Sequence, residues 1–382
     1  MTGERLFSLD ALRGLDMILL TVIGPLVWAA QNSWSCFSVG FMGQFQHGWV
    51  GFTLWDIIMP LFIFMCGGAI PFALGRRMKE GRLSFWKHVL ARVVLLWCLG
   101  GLVQGNWISL NPNLISPYSN TLQSIASGYL VVAVVMSLGS RMLMVAVPVV
   151  LVVIYTVLLS CGGDYSEFGN FAYKVDHVLL SMVLPAANKW VVKPSYYTWF
   201  LTSAMYAVMT FSGYCATWIL MSVQDCWRKV MALFGYGFVL LVGGFVSEIW
   251  IPCIKPIFTL SFTALAMGWC VIMLAILYVI TDIWKFRLGS SCVLLFGQLA
   301  LTAYFVSHFF HPVLNAFAHL VGDGLIACLP TAAQFIITTL EIAGLVVVML
   351  IWRSFKEKTH GSTHNLRRSC KVNLLKNNTK GM

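Results

Sequence analysis

The sequence predicts an all-α, polytopic integral membrane protein, a transmembrane bundle of about 10 (10–11) helices, and three observations lead there. Hydrophobic residues make up 59% of the chain and charged residues only 10%, where an ordinary soluble domain carries about 25% charged residues. Apolar runs long enough to cross a bilayer recur along the chain, near 12–31, 52–75, 86–106, 121–138, 142–161, 197–221, 231–247, 258–280, 289–310 and 331–353. Read as spans, those runs put twenty-one of the 25 Lys and Arg residues on one side of the membrane.

Each element follows from that alternation. The first run carries Asp10, Arg13 and Asp16 within it, behind Arg5, which favours a retained helix over a cleaved signal peptide. The loop after the second run holds Arg76, Arg77, Lys79, Arg82 and Lys87 and is the densest basic loop, so it is assigned to the cytoplasm. Counting outward places the N-terminus, Arg141, Arg228–Lys229, Lys285–Arg287 and the C-terminal tail on the same side. The opposite side keeps only Lys174, Lys189, Lys193 and Lys255. Its connections, 32–51, 107–120, 162–196, 248–257 and 311–330, are rich in Asn, Pro, Trp and Tyr, and 107–120 has no charge at all. Such a mouth suits a polar neutral ligand such as a sugar, and equally a quiet solvated loop. Segment 311–330, with Pro312 and Pro330, reads as a partial or re-entrant element. Residues 1–355 form the transmembrane domain, and 356–382 a basic cytoplasmic tail expected to be disordered.

The net charge of +11 is explained first by this orientation and second by an anionic small molecule approaching from the cytoplasm, with no nucleic acid needed. The 11 cysteines show no paired short spacing, so no zinc site is implied, and a disulfide among Cys36, Cys161 and Cys253 has no support.

Few residues carry chemistry. Asp10 and Arg13 lie three apart on one helical face, where they can pair. Their role is either a satisfied interfacial cap or the shaping of a site, since burying both is costly without partners. His47 precedes Trp49, Thr53 and Asp56, and Pro60 follows early in the second span. A neutral histidine there can take a proton from an amine or hydroxyl while a carboxylate holds its other nitrogen. Interfacial hydrogen bonding is the plainer alternative. Asp56 is nine residues on, so that contact requires the chain to fold back. Pro60 removes a backbone donor and is expected to bend the helix. Gly67–Gly68 and Gly75 allow close helix packing, and also room for a narrow ligand. Arg76, Arg77 and Arg92 are suited to phosphates or simply set topology. Gln123 is an amide in an apolar helix, positioned to link helices or touch a ligand. His308 and His311 lack an obvious third ligand, so a second polar cluster on the acceptor side is preferred to a metal site, and Asp323 reads as loop.

With these residues in view, SLDALRG at 8–14 and WVGFTLWDIIMPLFIFMCGGAIPF at 49–72 resemble the heparan-alpha-glucosaminide N-acetyltransferase family and its bacterial relatives. TLQSIASGYLVVA at 121–133 and PIFTLSFTALAMGWCVIMLAILYVITD at 256–282 resemble later segments of the same family. The chain departs from the family's Leu-Gln-Arg-Ile pattern at Leu122-Gln123-Ser124-Ile125, and its histidine stands two residues before Trp49 instead of three. The resemblance implies a transmembrane acyltransferase bundle that takes acetyl from cytoplasmic acetyl-CoA and delivers it across the membrane to an amino sugar or glycan. It makes His47 the family's catalytic histidine, as general base or transient acetyl carrier, with Asp56 orienting it. Arg76, Arg77, Arg92 and Gln123 would hold the CoA, and Asp10, Arg13, Trp49, Thr53 and His311 would shape the pocket. The implied setting is a bacterial inner membrane, with membrane lipid around the bundle and a homodimer compatible with its glycine-rich faces. The rival readings are a transporter of a sugar or lipid-linked intermediate, and a non-catalytic protein retaining the fold.

Overall fold

The computed structural model describes residues 6–192, 197–286 and 290–378. Arg5, Lys193 and Arg287, used above to orient the chain, lie outside the described residues. The described residues are helical with no strand. In chain order the helices are α1 (Phe7–Ile18), α2 (Gly24–Trp34), α3 (Val39–Gly43), α4 (Ile58–Glu80), α5 (Arg82–Val103), α6 (Thr121–Ser137), α7 (Arg141–Gly162) and α8 (Phe171–Val183). They continue as α9 (Lys189–Val192), α10 (Ser203–Ser222), α11 (Cys226–Glu248), α12 (Leu260–Tyr278), α13 (Ser290–Gln298), α14 (Ala300–Phe309), α15 (His311–Cys328) and α16 (Ala333–Asn378). Two compact units emerge, one of Met1–Leu20 with Phe37–Gly297, the other of Thr21–Cys36 with Gln298–Met382.

Eight helices among the described residues are long and apolar enough to cross a membrane, nine if the pair Ser291–Gln298 and Ala300–Phe309, bent by 75°, counts as one span. The tenth expected run is α6, apolar and 17 residues long, at the short end of the roughly 17–25 residues that cross a bilayer.

In the first unit the apolar core gathers around α4. Leu61, Phe64 and Met65 pack with Leu9 and Leu12 of α1, Ala216 and Leu220 of α10, Leu233 of α11 and Leu274 of α12. The partners come close because glycines remove the obstacle: a Cβ on Gly67 would run into the Thr210 carbonyl oxygen of α10, and one on Gly213 into the Phe64 carbonyl oxygen of α4. The same device brings Gly297 to the Asp10 backbone. The helix α4 ends at Gly81, whose φ of +117° suits glycine alone, and α5 begins at the next residue. Arg77 and Lys79 occupy its last turn, where the carbonyl end of the helix favours cations. The helix α1 has no cap of its own, so the Ser8 N–H donates instead to Asp282 Oδ2 at 3.0 Å, from the π-helical turn Val279–Ile283 after α12.

Pro60 does not bend the middle of α4. It stands in the first turn, where its missing N–H has no helical acceptor to lose, and the interior proline is Pro71. Asp16 is 1% exposed, and neither carboxylate oxygen has a partner among the described residues. Replacing it with the similarly sized Leu is expected to stabilise the protein by about 1–3 kcal/mol, since a buried polar group is left unpaired. Thermal melts in detergent check this, and a lowered melting temperature would mean that the carboxyl binds something.

In the second unit α16 packs with α2, α14 and α15, and Trp34 meets Phe335 with ring centroids 5.0 Å apart. Segment 311–330, expected as a connection or re-entrant piece, is mostly the 18-residue helix α15. Asp323 is therefore on a helix, not a loop, with its Oδ1 3.0 Å from His319 Nδ1 one turn away. The backbone of α16 runs on to Asn378. The side chains after 357 and residues 379–382, part of the tail 356–382 expected to be disordered, lie outside the described residues.

Candidate active site

The segment ahead of α4 builds a polar cluster from local rules. Thr53, Leu54, Trp55 and Asp56 form a capping box at the start of the 3₁₀ turn Leu54–Ile57 that leads into α4. The Thr53 N–H donates to Asp56 Oδ2 at 2.9 Å, and Thr53 Oγ1 lies 2.8 Å from the same oxygen. This fixes the Asp56 side chain and leaves Oδ1 facing the other way. The Trp55 N–H donates to the Gln44 carbonyl at 2.9 Å and the Leu54 N–H to Gln44 Oε1 at 3.2 Å, so the chain doubles back on itself. His47 is thereby brought to Asp56, with Nδ1 at 2.7 Å from Oδ1. The fold-back that a nine-residue separation demanded is present. Trp49 fixes the loop from outside, its Nε1 donating to the Tyr165 carbonyl at 2.9 Å.

A third group completes the cluster and was not read from the sequence. The Gly51 N–H donates to the Cys253 carbonyl at 2.8 Å, which draws in the loop between α11 and α12. Lys255 then sets its Nζ 3.2 Å from Asp56 Oδ1 and 3.3 Å from His47 Nδ1. Its loop is held by Thr259, whose Oγ1 donates to the Pro252 carbonyl at 2.9 Å and accepts from the Ile254 N–H at 3.0 Å. Burial takes the Lys255 ammonium down to about 8, against the opposing pull of Asp56. Burial also pushes the Cys253 thiol up to about 12, helped by Glu248 and Asp56. The Lys255 and Asp56 side chains are 6% and 3% exposed, and His47 is 31% exposed. With Nδ1–H given to Asp56, the free lone pair of the imidazole is on Nε2.

The other end of α4 carries a different site. A cavity of 510 Å³ is lined by Leu6, Leu9, Asp10 and Arg13 of the N-terminal segment, by Ala69, Phe72, Ala73, Arg76 and Arg77 of α4, and by His88 of α5. Asp10 and Arg13 pair as their spacing suggested, at 3.2 Å. Arg77 holds Glu80 at 2.7 Å, whereas Arg76 is exposed and has no carboxylate partner among the described residues. Asp56 and Arg76 are twenty residues apart on one helical rod, or about 30 Å at 1.5 Å per residue.

Arg92 and Gln123 do not join this cavity. Arg92 donates to Cys66 Sγ at 3.6 Å and lies over the Tyr129 ring at 4.7 Å. Gln123 is fully buried, its Nε2 donating to the Pro117 carbonyl at 3.0 Å and its Oε1 accepting from the Ser119 N–H at 2.9 Å, so it ties α6 to the preceding loop. Gly67 leaves no room for a ligand, because α10 fills the space beside it. His311 belongs to the second unit, where its Nε2 is 3.7 Å from Glu341 Oε1, and that oxygen accepts from Asn315 at 2.8 Å. The His308 ring stacks on Tyr304 with centroids 4.3 Å apart. No group of three metal-binding side chains occurs among the described residues.

No family model matches the chain. It is similar to the heparan-alpha-glucosaminide N-acetyltransferase of Mus musculus, with 26% identity over 144 residues. The match covers 35% of this chain and 19% of the mouse protein, so the chain spans about a fifth of the relative's length. Similarity of this extent shows a distant relationship between this polytopic membrane bundle and a membrane N-acetyltransferase.

Proposed function

We propose that this protein is a transmembrane acetyltransferase that moves an acetyl group from acetyl-CoA at the Arg76–Arg77 end of α4 to an amine at the His47 end. The observation that carries the reading is the opposition of the two sites along one rod: a basic cavity at one end and a carboxylate-held imidazole at the other. The distant relationship to an N-acetyltransferase supports the same chemistry.

Arginine suits the phosphates of CoA because its planar fork donates two parallel hydrogen bonds. Arg76, without a carboxylate partner, and Arg13 and Arg77 at the rim offer that charge, with Phe72, Ala69 and Ala73 as an apolar wall for the thin pantetheine arm. At the far end the acceptor nitrogen attacks the thioester carbonyl carbon and the C–S bond breaks. His47 Nε2 takes the proton that the amine loses, and the thiolate of CoA leaves and is protonated. In the alternative sequence Nε2 first carries the acetyl group and then passes it to the amine. Asp56 serves both routes by fixing the Nδ1–H tautomer. The acceptor class is an amino sugar or glycan, a reading supported by the uncharged, amide-bearing segment 107–120. The basic end is assigned to the cytoplasm, and the membrane to a bacterial inner membrane.

The direct test incubates detergent-purified protein with acetyl-labelled acetyl-CoA and glucosamine. Label on the sugar nitrogen is the expected result, and its absence across amino-sugar acceptors would overturn the reading. Arg76→Glu with Arg77→Glu is expected to raise KM for acetyl-CoA roughly tenfold or more while kcat stays within about twofold, because ground-state binding is what is lost.

A further inference from the structure

We infer that Lys255 is a positioning residue for His47, its ammonium seated on the Asp56 oxygen that also receives the imidazole, so that the ring is held turned with Nε2 free. This rests on the proposed acetyl transfer and adds to it a residue 208 positions away in sequence.

Oδ1 of Asp56 is the shared vertex, with His47 Nδ1 at 2.7 Å and Lys255 Nζ at 3.2 Å, while Oδ2 is taken up by Thr53. An ammonium has only donors to offer. It therefore cannot share Nδ1 with a proton already given to Asp56, and its own hydrogen goes to the carboxylate. Taking up one side of Oδ1, the ammonium leaves the imidazole a single direction of approach to that oxygen and so fixes the ring. Lys255 sits behind the ring, on the Asp56 side, and does not occupy the Nε2 side where substrate reacts. It is almost fully buried, so solvent cannot take over its part.

Among the ionisable groups on the elements packed here, Asp56 and Lys255 touch the ring. Cys253 in the Lys255 loop is held up near 12 by burial, Glu248 closes α11, and Asp164, held low by Ser166, lies beyond Trp49. Burial brings Lys255 down to about 8, so the ammonium is present below that pH and lost above it.

The test uses the full chain in detergent and follows acetyl transfer to glucosamine from pH 6 to 9.5 in wild type, Lys255→Met and Lys255→Arg, with thermal stability measured in parallel. Wild-type kcat is expected to fall above about pH 8 without a matching loss of stability. In Lys255→Met, kcat falls roughly 10- to 100-fold at pH 7, KM for acetyl-CoA is unchanged, and the fall above pH 8 disappears. In Lys255→Arg, which stays charged, activity returns and persists above pH 8. A Met variant with wild-type kcat and the same alkaline fall would overturn the inference, whatever the Arg variant does. A second readout needs no acetyl transfer: carbethoxylation of His47 by diethyl pyrocarbonate at the presented Nε2. At pH 7 it is expected to be several-fold slower in Lys255→Met than in wild type, and restored in Lys255→Arg. Equal rates in Lys255→Met and wild type would sink the role of Lys255 even where the sugar is acetylated. Unequal rates with no acetylated sugar would sink the transferase and leave Lys255 as the group that sets the orientation of His47.

Discussion

Alanine in place of His47 is expected to lower kcat for acetyl transfer to glucosamine by about 10²- to 10⁴-fold, the usual contribution of a positioned general base. The side chain is 31% exposed and meets Asp56 and Lys255 through its ring nitrogen, so removing it opens no core cavity and the melting temperature should hold. Acetyl-CoA is proposed to bind at the other end of α4, so its KM should change little. Asp56→Asn keeps the shape but lets the amide present a donor to Nδ1, which favours the unproductive tautomer and leaves Lys255 without its carboxylate. Its loss should approach that of His47→Ala and come with reduced stability, because Asp56 also closes the capping box. If His47→Ala turns over at the wild-type rate, His47 is not the base.

Valine in place of Gly67 carries the largest expected effect on folding. The added atoms would enter the Thr210 backbone, and neither α4 nor α10 can move without disturbing the core around Phe64 and Leu220. Overpacking a core with extra side-chain atoms costs roughly 1–3 kcal/mol, and here the obstacle is main chain, so little or no folded protein is expected by size-exclusion chromatography. Gly213→Val should fail in the same way from the opposite helix, while Gly75→Ala, whose Cβ would meet nothing, should behave as wild type. Normal yield and melting temperature for Gly67→Val would show that the two helices are not in contact there.

Those glycines show what a sequence can and cannot carry. Gly67 and Gly75 look alike in a string of letters, and only the neighbouring helix separates a packing seam from an open face. Hydropathy made the helical bundle legible because lipid forces every backbone group into a helix, and among the runs it picked out α6 is the shortest that folds as one helix. Asp10 and Arg13 were readable as a pair because helical periodicity is local. Arg92 and Gln123 were not, since charge and amide do not reveal which face of a helix they occupy. Arg92 went to Tyr129 and Cys66, and Gln123 to the turn before α6. Thr53 and Asp56 could have been read more sharply, as Thr-x-x-Asp ahead of an apolar run is a capping signal. Lys255 had a fainter one: it is a cation set between Cys253–Ile254 and Pro256–Ile257–Phe258, an apolar setting that solvated lysines avoid. Nothing local connects it to His47, because the link is the backbone hydrogen bond from Gly51 to Cys253.

The central claim is that one protein receives acetyl at one face of a membrane and delivers it at the other. Proteoliposomes test it most directly: protein in a single orientation, established by impermeant thiol labelling of a cysteine placed at the Gly81 turn, with labelled acetyl-CoA on that side only and glucosamine on the other only. Acetylated glucosamine is expected on the side opposite the acetyl-CoA, and none with His47→Ala. Product formed only when both substrates share one side would contradict the claim.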